Sequence, residues 1–144
     1  GTTYPPPFDE PCRPRQRTRL GDMAGLTQFG VNLLRLPPGA WSSQRHWQYQ
    51  EDEFVWVLKG EVVLVEDQET TLRPGDAAAW PAGLPTGHRL DNRSTAPARY
   101  LVIGTRAERD RIHYSDHDLI TEKHGPLRSY LHRDGSAYPK GGKT

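Results

Sequence analysis

The chain has 144 residues, a length typical of one domain. Its 19 Lys and Arg residues nearly balance 18 Asp and Glu residues, and the net charge of +1 excludes a strong field for binding nucleic acid or an anionic membrane. The single cysteine excludes an internal disulfide and a cysteine-rich zinc site, and a lone thiol is typical of the reducing cytoplasm, which is the predicted location. No apolar run reaches the ~18 residues that span a membrane.

Residues 1–20 combine several prolines with four arginines, Arg13, Arg15, Arg17 and Arg19. This composition predicts an extended arm that has no core of its own. A run of arginines can bind nucleic acid, but no aromatic residue lies between these four, and the chain as a whole is not basic. The favoured interpretation is therefore an arm that lies on a partner subunit.

Residues 21–105 contain nearly all the β-branched and aromatic residues, and they predict a barrel of short strands. Turns rich in Gly and Pro recur about every 8–12 residues, as in sandwiches and barrels. The predicted strands are residues 29–36, 41–48, 54–58, 61–66, 70–73, 77–80, 88–92 and 98–105. The best candidate for a helix is residues 105–111. Residues 106–144 form a polar segment that is expected to pack on the barrel and to end in disorder.

Two of the predicted strands are apolar on both faces. Residues 54–58 read Phe-Val-Trp-Val-Leu, and residues 62–65 read Val-Val-Leu-Val. Because side chains alternate between the faces of a strand, one face lines the interior and the other needs a cover. A second copy of the chain can supply that cover, so the sequence predicts a homodimer.

Four polar residues could meet inside such a barrel. His46 and Gln48 lie two residues apart, and a strand therefore places them on one face. Glu53 begins the next strand, and His88 follows the turn at residues 81–83. Two imidazoles, a carboxylate and an amide oxygen are suitable ligands for a divalent metal. The spacing alone is equally compatible with a polar cluster held by hydrogen bonds.

These residues also carry a resemblance to the cupin family. The order of the first cupin motif is matched by Gly39, His46-Trp47-Gln48, Glu53 and Gly60, and that of the second by Gly75, Pro81, Gly83, His88 and Asn92. The resemblance covers residues 29–105 and implies an all-β jelly-roll barrel (a double-stranded β-helix), often dimeric, with a metal near the barrel mouth. It implies Zn, Fe, Mn or Ni held by His46, Glu53 and His88, with Gln48 as a weaker fourth ligand where the family usually has histidine.

The resemblance implies two classes of function. The first is a metal-dependent enzyme of the dioxygenase, isomerase or lyase type, acting on a small oxygenated molecule. Glu53, if it does not bind the metal, and Tyr49 are the candidates for proton transfer in such an enzyme. The alternative is a non-catalytic cupin that binds or senses a sugar or an organic acid and has a degenerate metal site. The fold does not choose between them, because it supports many functions.

Overall fold

The computed structural model describes residues 1–139, and its regular structure is almost entirely antiparallel strand. The strands are β1 (Gln16–Arg19), β2 (Phe29–Leu36), β3 (His46–Gln48), β4 (Glu53–Lys59), β5 (Val62–Val65), β6 (Glu69–Leu72), β7 (Ala77–Trp80), β8 (Arg89–Asp91), β9 (Ala98–Thr105), β10 (Arg109–Tyr114), β11 (Ile120–His124) and β12 (Leu127–Leu131). A 3-10 helix, Glu10–Cys12, precedes β1, and the short helix α1 (Leu20–Met23) follows it. Within residues 1–139, no helix is long and apolar enough to cross a membrane.

The strands form the two layers of a jelly roll. One layer is a five-stranded sheet in the order β1-β2-β9-β4-β7. The other combines a four-stranded sheet, β12-β11-β10-β3, with a three-stranded sheet, β6-β5-β8. Isolated bridges between Trp41 and Asp91 and between His46 and His88 join these two smaller sheets. The all-β jelly roll that the sequence predicts is therefore confirmed.

The core lies between the layers and follows the alternation of the strands. In β4, Val55 and Val57 are buried, whereas the alternate residues Phe54, Trp56 and Leu58 are exposed on the outer face. The buried cluster draws on both layers and comprises Leu34, Leu36, Ala40, Val55, Val57, Val62, Leu64, Leu72, Trp80, Leu90, Ala98 and Tyr100. Burial of these side chains removes apolar surface from water and holds the layers together.

The N-terminal arm packs on its own chain in the structure, and the expected contact with a partner subunit stays a prediction. Tyr4 is buried with its ring centroid 5.7 Å from that of Tyr114 and 5.9 Å from that of Tyr130. Cys12 is also buried, and β1 pairs with β2. The arm lacks a core of its own, but the C-terminal strands of the same chain supply aromatic partners for it.

The segment after β9 is extended, so the predicted helix at residues 105–111 is wrong. Residues 109–114 form β10, whose buried and exposed residues alternate, and this strand pairs with β3 on one side and β11 on the other. The two neighbouring strands form hydrogen bonds with the backbone N–H and C=O groups of β10. A short helix on the surface is only marginally stable, so the strand is favoured. The predicted disorder of the last residues concerns residues 140–144, which lie outside the described residues.

Gly60 is required where β4 turns toward β5, and its replacement should destabilise the fold. Its φ is +76°, and an added Cβ would lie 2.8 Å from the Pro97 carbonyl oxygen and 2.9 Å from Ala98 Cα. Gly39 is a matched control because its φ is +83° but nothing lies within 4 Å of an added Cβ. We expect Gly60→Ala to lower the free energy of unfolding by about 2–3 kcal/mol and Gly39→Ala by about 1 kcal/mol. Equal decreases in the free energy of unfolding, measured by urea-induced unfolding, would show that the close approach of Pro97 and Ala98 to Gly60 does not affect stability.

Candidate metal centre

The backbone places two histidines opposite each other across the junction of the two smaller sheets. His46 begins β3, and His88 immediately precedes β8. The His46 amide donates to the His88 carbonyl at 3.1 Å, and the His88 amide donates to the His46 carbonyl at 3.0 Å. Their ring centroids are 4.8 Å apart. This pair of hydrogen bonds fixes the separation of the imidazoles before any ligand binds.

Glu53 reaches the histidine pair from the opposite layer. It is the first residue of β4, where it is paired with Trp80 of β7 and Gly104 of β9. Its Oε1 lies 2.8 Å from His88 Nε2, and its Oε2 lies 4.0 Å from His46 Nε2. One ligand atom from each of the three residues lies within 4.8 Å of the other two. Two nitrogens and one oxygen at this separation suit a single divalent ion.

The hydrogen bonds on the far side of each ring orient both Nε2 atoms toward Glu53. His46 Nδ1 lies 2.9 Å from the carbonyl oxygen of Gln44, and His88 Nδ1 lies 3.2 Å from that of Thr86. A carbonyl oxygen accepts only, so each Nδ1 is the protonated nitrogen. His88 then faces an acceptor at both nitrogens, which a neutral ring cannot satisfy. A proton on His88 Nε2, or a metal ion held by Nε2 and Glu53, resolves this conflict, and the ligand atoms of the three residues are close enough for a metal ion.

The charge states of these groups also suit a metal. Burial, followed by the charge of His88, lowers the pKa of His46 to about 4. Burial acts to raise the pKa of Glu53, but its hydrogen bond to His88 and the charge of that histidine hold the pKa below its usual value. His46 is therefore a neutral imidazole and Glu53 a carboxylate at neutral pH. These are the forms in which the two side chains bind metal ions.

Trp80 holds the His88 ring in place from its other face. The two rings are stacked, with centroids 3.6 Å apart and planes 5° from parallel. Trp80 Nε1 in turn donates a hydrogen bond to Glu66 Oε2 at 3.0 Å. Groups of this kind, which orient a ligand without binding the metal, strongly affect metal affinity.

Gln48 lies on the same strand face as His46, but its amide nitrogen is held by two carboxylates. Gln48 Nε2 donates to Glu51 Oε1 at 2.8 Å and to Asp110 Oδ2 at 3.2 Å. Since both partners are acceptors, the NH₂ group must face them, and Oε1 is the atom left for another ligand. The role of Gln48 as a weaker fourth metal ligand stays a prediction.

A buried ion pair beside Gln48 was not predicted from the sequence. Glu51 is 8% exposed, and its Oε2 accepts a hydrogen bond from Lys123 Nζ at 2.5 Å. The Ala107 amide donates to the same oxygen at 2.9 Å. In the sequence, Glu51 belongs to an acidic triplet that resembles a solvated loop. Ala107 and Lys123, the partners of its Oε2, lie 56 and 72 residues away, so no local pattern indicates them.

Tyr49 points away from the other site residues. It is 40% exposed, and its ring centroid lies 4.3 Å from that of Trp47. Tyr49 is not among the residues that line the cavity at the site, whereas Glu53 is. Its role in proton transfer stays a prediction, and the geometry favours Glu53 of the two candidates.

The three candidate ligands lie on the wall of a large open cavity inside the barrel. The cavity has a volume of about 1030 Å³. His46, Glu53 and His88 line it together with Gln48, Tyr100 and Tyr114. Small-molecule sites in proteins are concave and combine apolar walls with a few polar groups, and this cavity has both features.

The comparisons with known proteins agree with the observed fold. The family model described as Cupin domain matches residues 32–104. A solved structure of a sugar phosphate isomerase from a cupin superfamily, from Silicibacter pomeroyi DSS-3, is 46% identical, covers 96% of this chain and 89% of its own, and has a TM-score of 0.93. A protein from Acidithiobacillus ferrooxidans ATCC 23270, provisionally described as a sugar phosphate isomerase, is 26% identical with a TM-score of 0.78, covering 87% of this chain and 80% of its own.

A more distant structure shows likeness of fold alone. The polyketide cyclase RemF from Streptomyces resistomycificus is 21% identical, covers 63% of this chain and 64% of its own, and has a TM-score of 0.55. No curated protein matches the chain closely enough to be counted as a relative.

Proposed function

Because the chain belongs to the cupin family, we propose that it is a metal-dependent isomerase that acts on a sugar phosphate. The observation that carries the proposal is the convergence of His46, Glu53 and His88 on one wall of a cavity large enough for a small sugar. The name of the 46% identical protein from Silicibacter pomeroyi supports the substrate class. The residues fit a divalent ion, which would supply Lewis acidity toward a carbonyl oxygen when bound.

Glu53 is the residue best placed to move the proton in such a reaction, through whichever carboxylate oxygen does not bind the metal. Its Oε1 contacts His88, whereas its Oε2 accepts no hydrogen bond from any residue in 1–139. An aldose–ketose isomerisation moves one proton from the hydroxyl-bearing carbon to the neighbouring carbonyl carbon. A second proton moves from that hydroxyl to the carbonyl oxygen. A single carboxylate oxygen can take the first proton and return it to the adjacent carbon.

The proposal is tested by following exchange of the substrate's carbon-bound hydrogen. The metal-loaded protein is incubated in D₂O with aldose and ketose phosphates of three to six carbons, and the products are identified by NMR. We expect interconversion and deuterium incorporation at the carbon next to the carbonyl, with a loss of at least about 100-fold in Glu53→Gln. Neither interconversion nor exchange with any compound would refute the isomerase. Saturable binding of a sugar without exchange would instead show the non-catalytic, ligand-binding alternative.

We propose further that two copies of the chain associate through the outer face of the five-stranded sheet. Phe29, Phe54, Trp56 and Leu58 are 43%, 37%, 45% and 43% exposed on this sheet. Phe29 and Phe54 also line an apolar depression of about 460 Å³ on it. Association of two such faces would remove these side chains from water, as the two-sided apolar pattern of β4 predicts.

Trp56→Glu should separate the two copies. A charge in the centre of an apolar interface is not compensated, so we expect a mass of 16.3 kDa by light scattering for the variant and twice that for the parent. Leu127→Glu is the control, because Leu127 is 70% exposed on β12, in the other layer, and should leave the mass unchanged. A parent protein of 16.3 kDa at micromolar concentration would contradict the homodimer.

A further inference from the structure

A stripe of arginines enters the same cavity as the candidate metal centre. Arg15, Arg17 and Arg19 occupy every second position along β1 and the residue before it. Alternate residues of a strand share a face, with about 6.6 Å between them. All three arginines line the cavity, as does Arg128 of β12. The cavity therefore has a metal-ligand group on one part of its wall and four guanidinium groups on another.

None of these four arginines forms an ion pair with any residue in 1–139. Arg15 donates to the backbone carbonyls of Gly1 and Ser42, at 2.8 and 2.5 Å. The side chains of Arg17, Arg19 and Arg128 make no hydrogen bond within that part of the chain. Several arginines elsewhere have carboxylate partners, for example Arg13, Arg45, Arg93 and Arg106.

Several acidic side chains around the cavity have partners outside the stripe, and Asp22 offsets part of the repulsion at Arg17. The pairs of a cavity-wall carboxylate with a cation or an imidazole are Asp22 with Arg106, Glu51 with Lys123, Glu53 with His88 and Glu108 with His124. The remaining carboxylate, Asp52, accepts a hydrogen bond from the Ala82 amide. The stripe is consequently a local excess of positive charge in a chain whose net charge is only +1. Four neighbouring cations repel one another unless an anion lies between them.

Loss of hydration and repulsion act together on Arg17, at the centre of the stripe. Loss of hydration at the cavity wall, followed by the charges of Arg19, Arg15 and Arg128, lowers the pKa of Arg17 to about 10. Arg15 lies nearer to the candidate metal centre, because it donates to the Ser42 carbonyl and the neighbouring Ser43 hydroxyl lies 3.2 Å from His46 Nδ1. The stripe thus extends from the vicinity of His46 toward the exposed residues Arg17 and Arg19.

We propose that Arg17, Arg19 and Arg128 form a phosphate subsite that binds the phosphate group of the substrate. The assignment rests on the proposed function, since it places the sugar carbonyl toward His46, Glu53 and His88 and the phosphate toward the stripe. A phosphate monoester carries a charge of about −1.5 to −2 at pH 7 and has three strong acceptor oxygens. Guanidinium groups match this geometry with paired hydrogen bonds, and three of them can surround one dianion.

A small anion suits these residues better than nucleic acid does. The arginines line a cavity and not a continuous convex surface, and the cavity also contains the metal-ligand group. A polymer would need a basic surface that follows its backbone, and the chain lacks the overall charge for it. A charged substrate thus accounts for the alternating arginines of β1, whereas Arg13 of the same arm pairs with Asp9.

The test measures binding of inorganic phosphate by calorimetry, with and without prior removal of metal by EDTA. We expect Arg17→Gln and Arg128→Gln each to weaken phosphate binding by about 10-fold or more, because each removes a charge-assisted hydrogen-bond donor. Arg17→Lys should lose less affinity for phosphate than Arg17→Gln, because lysine keeps the positive charge. The control is Arg99→Gln, which removes an exposed arginine outside the cavity and should leave the affinity unchanged.

The melting temperature and the effect of EDTA show whether a loss of phosphate binding reflects unfolding, loss of the metal or loss of the subsite. Removal of Arg17 relieves repulsion, so we expect the melting temperature of Arg17→Gln to equal or exceed that of the parent. We also expect arginine-dependent phosphate binding to persist after EDTA treatment. Phosphate binding that is unchanged in both Gln variants, or lost with the metal, would overturn the subsite. Equal affinity for malonate, a dianion without phosphorus, would overturn its assignment to phosphate.

The outcomes also distinguish the subsite from the proposed function. Arginine-dependent phosphate binding without isomerisation of any sugar phosphate would support the subsite and refute the isomerase. Isomerisation with an unchanged KM in Arg17→Gln and Arg128→Gln would support the isomerase and refute the subsite.

Discussion

His88→Ala is expected to weaken the binding of Zn²⁺ or Mn²⁺ by at least about 100-fold, because loss of a ligand exceeds the 10–100-fold effect of losing a group that only orients one. His88 is 4% exposed, so no other side chain can readily replace it. Its removal leaves His46 and Glu53, and two ligands hold an ion much less firmly than three. His46→Ala should have a similar effect.

The measurement is a competition titration against a chromogenic chelator, together with elemental analysis of protein purified without added metal. His113→Ala is the matched control, because His113 packs 5.4 Å from Trp47 between ring centroids and lies outside the three-residue group. The affinity of His113→Ala for the metal should equal that of the parent protein. An unchanged metal content in His88→Ala would contradict the assignment of this ligand.

Lys123→Met should lower the free energy of unfolding by about 3–5 kcal/mol, the cost of removing one partner from a buried ion pair. The side chains of Lys123 and Glu51 are 12% and 9% exposed. Without the ammonium group, the Glu51 carboxylate is left with only Gln48 and the Ala107 amide. Asp110, also buried, shares the Gln48 donor and adds a second negative charge nearby.

The control is an exposed ion pair that also involves β11, the strand of Lys123. Arg111 of β10 and Glu122 of β11 are 2.8 Å apart, but their side chains are 52% and 48% exposed. We expect Arg111→Met to cost less than about 1 kcal/mol, because water screens the pair. Urea unfolding of both variants provides the comparison, and Lys123→Met combined with Glu51→Gln should recover part of the loss. Equal losses for Lys123→Met and Arg111→Met would show that burial of the Glu51–Lys123 pair has no consequence.

The strands of the barrel were predictable because the turns between them are local features. The predicted strands at residues 29–36, 77–80 and 98–105 agree with β2, β7 and β9. Gly and Pro at their ends restrict the backbone to turn conformations, whatever the rest of the chain does. By contrast, β10 depends on pairing with β3, some 60 residues earlier in the chain, and with β11. Propensity within residues 105–111 does not reveal such partners.

The candidate site also combines features that are local in the sequence with contacts between distant segments. The order and spacing of His46, Glu53 and His88 follow two motifs that can be read along the sequence, and the structure brings these three residues together. The network around Gln48 could not be predicted, because Lys123 and Asp110 come from strands that the sequence did not indicate. The arginines of the arm were conspicuous in the sequence, but only the pairing of β1 with β2 shows that they line a cavity.

The central claim is that His46, Glu53 and His88 together hold one divalent ion. Anomalous diffraction from a crystal of the manganese- or zinc-loaded protein, recorded at the metal absorption edge, tests it directly. We predict a single strong peak in the cavity, about 2.0–2.2 Å from a nitrogen of each histidine and an oxygen of Glu53. A fully loaded protein with no peak at these residues, or with its peak elsewhere, would contradict the claim.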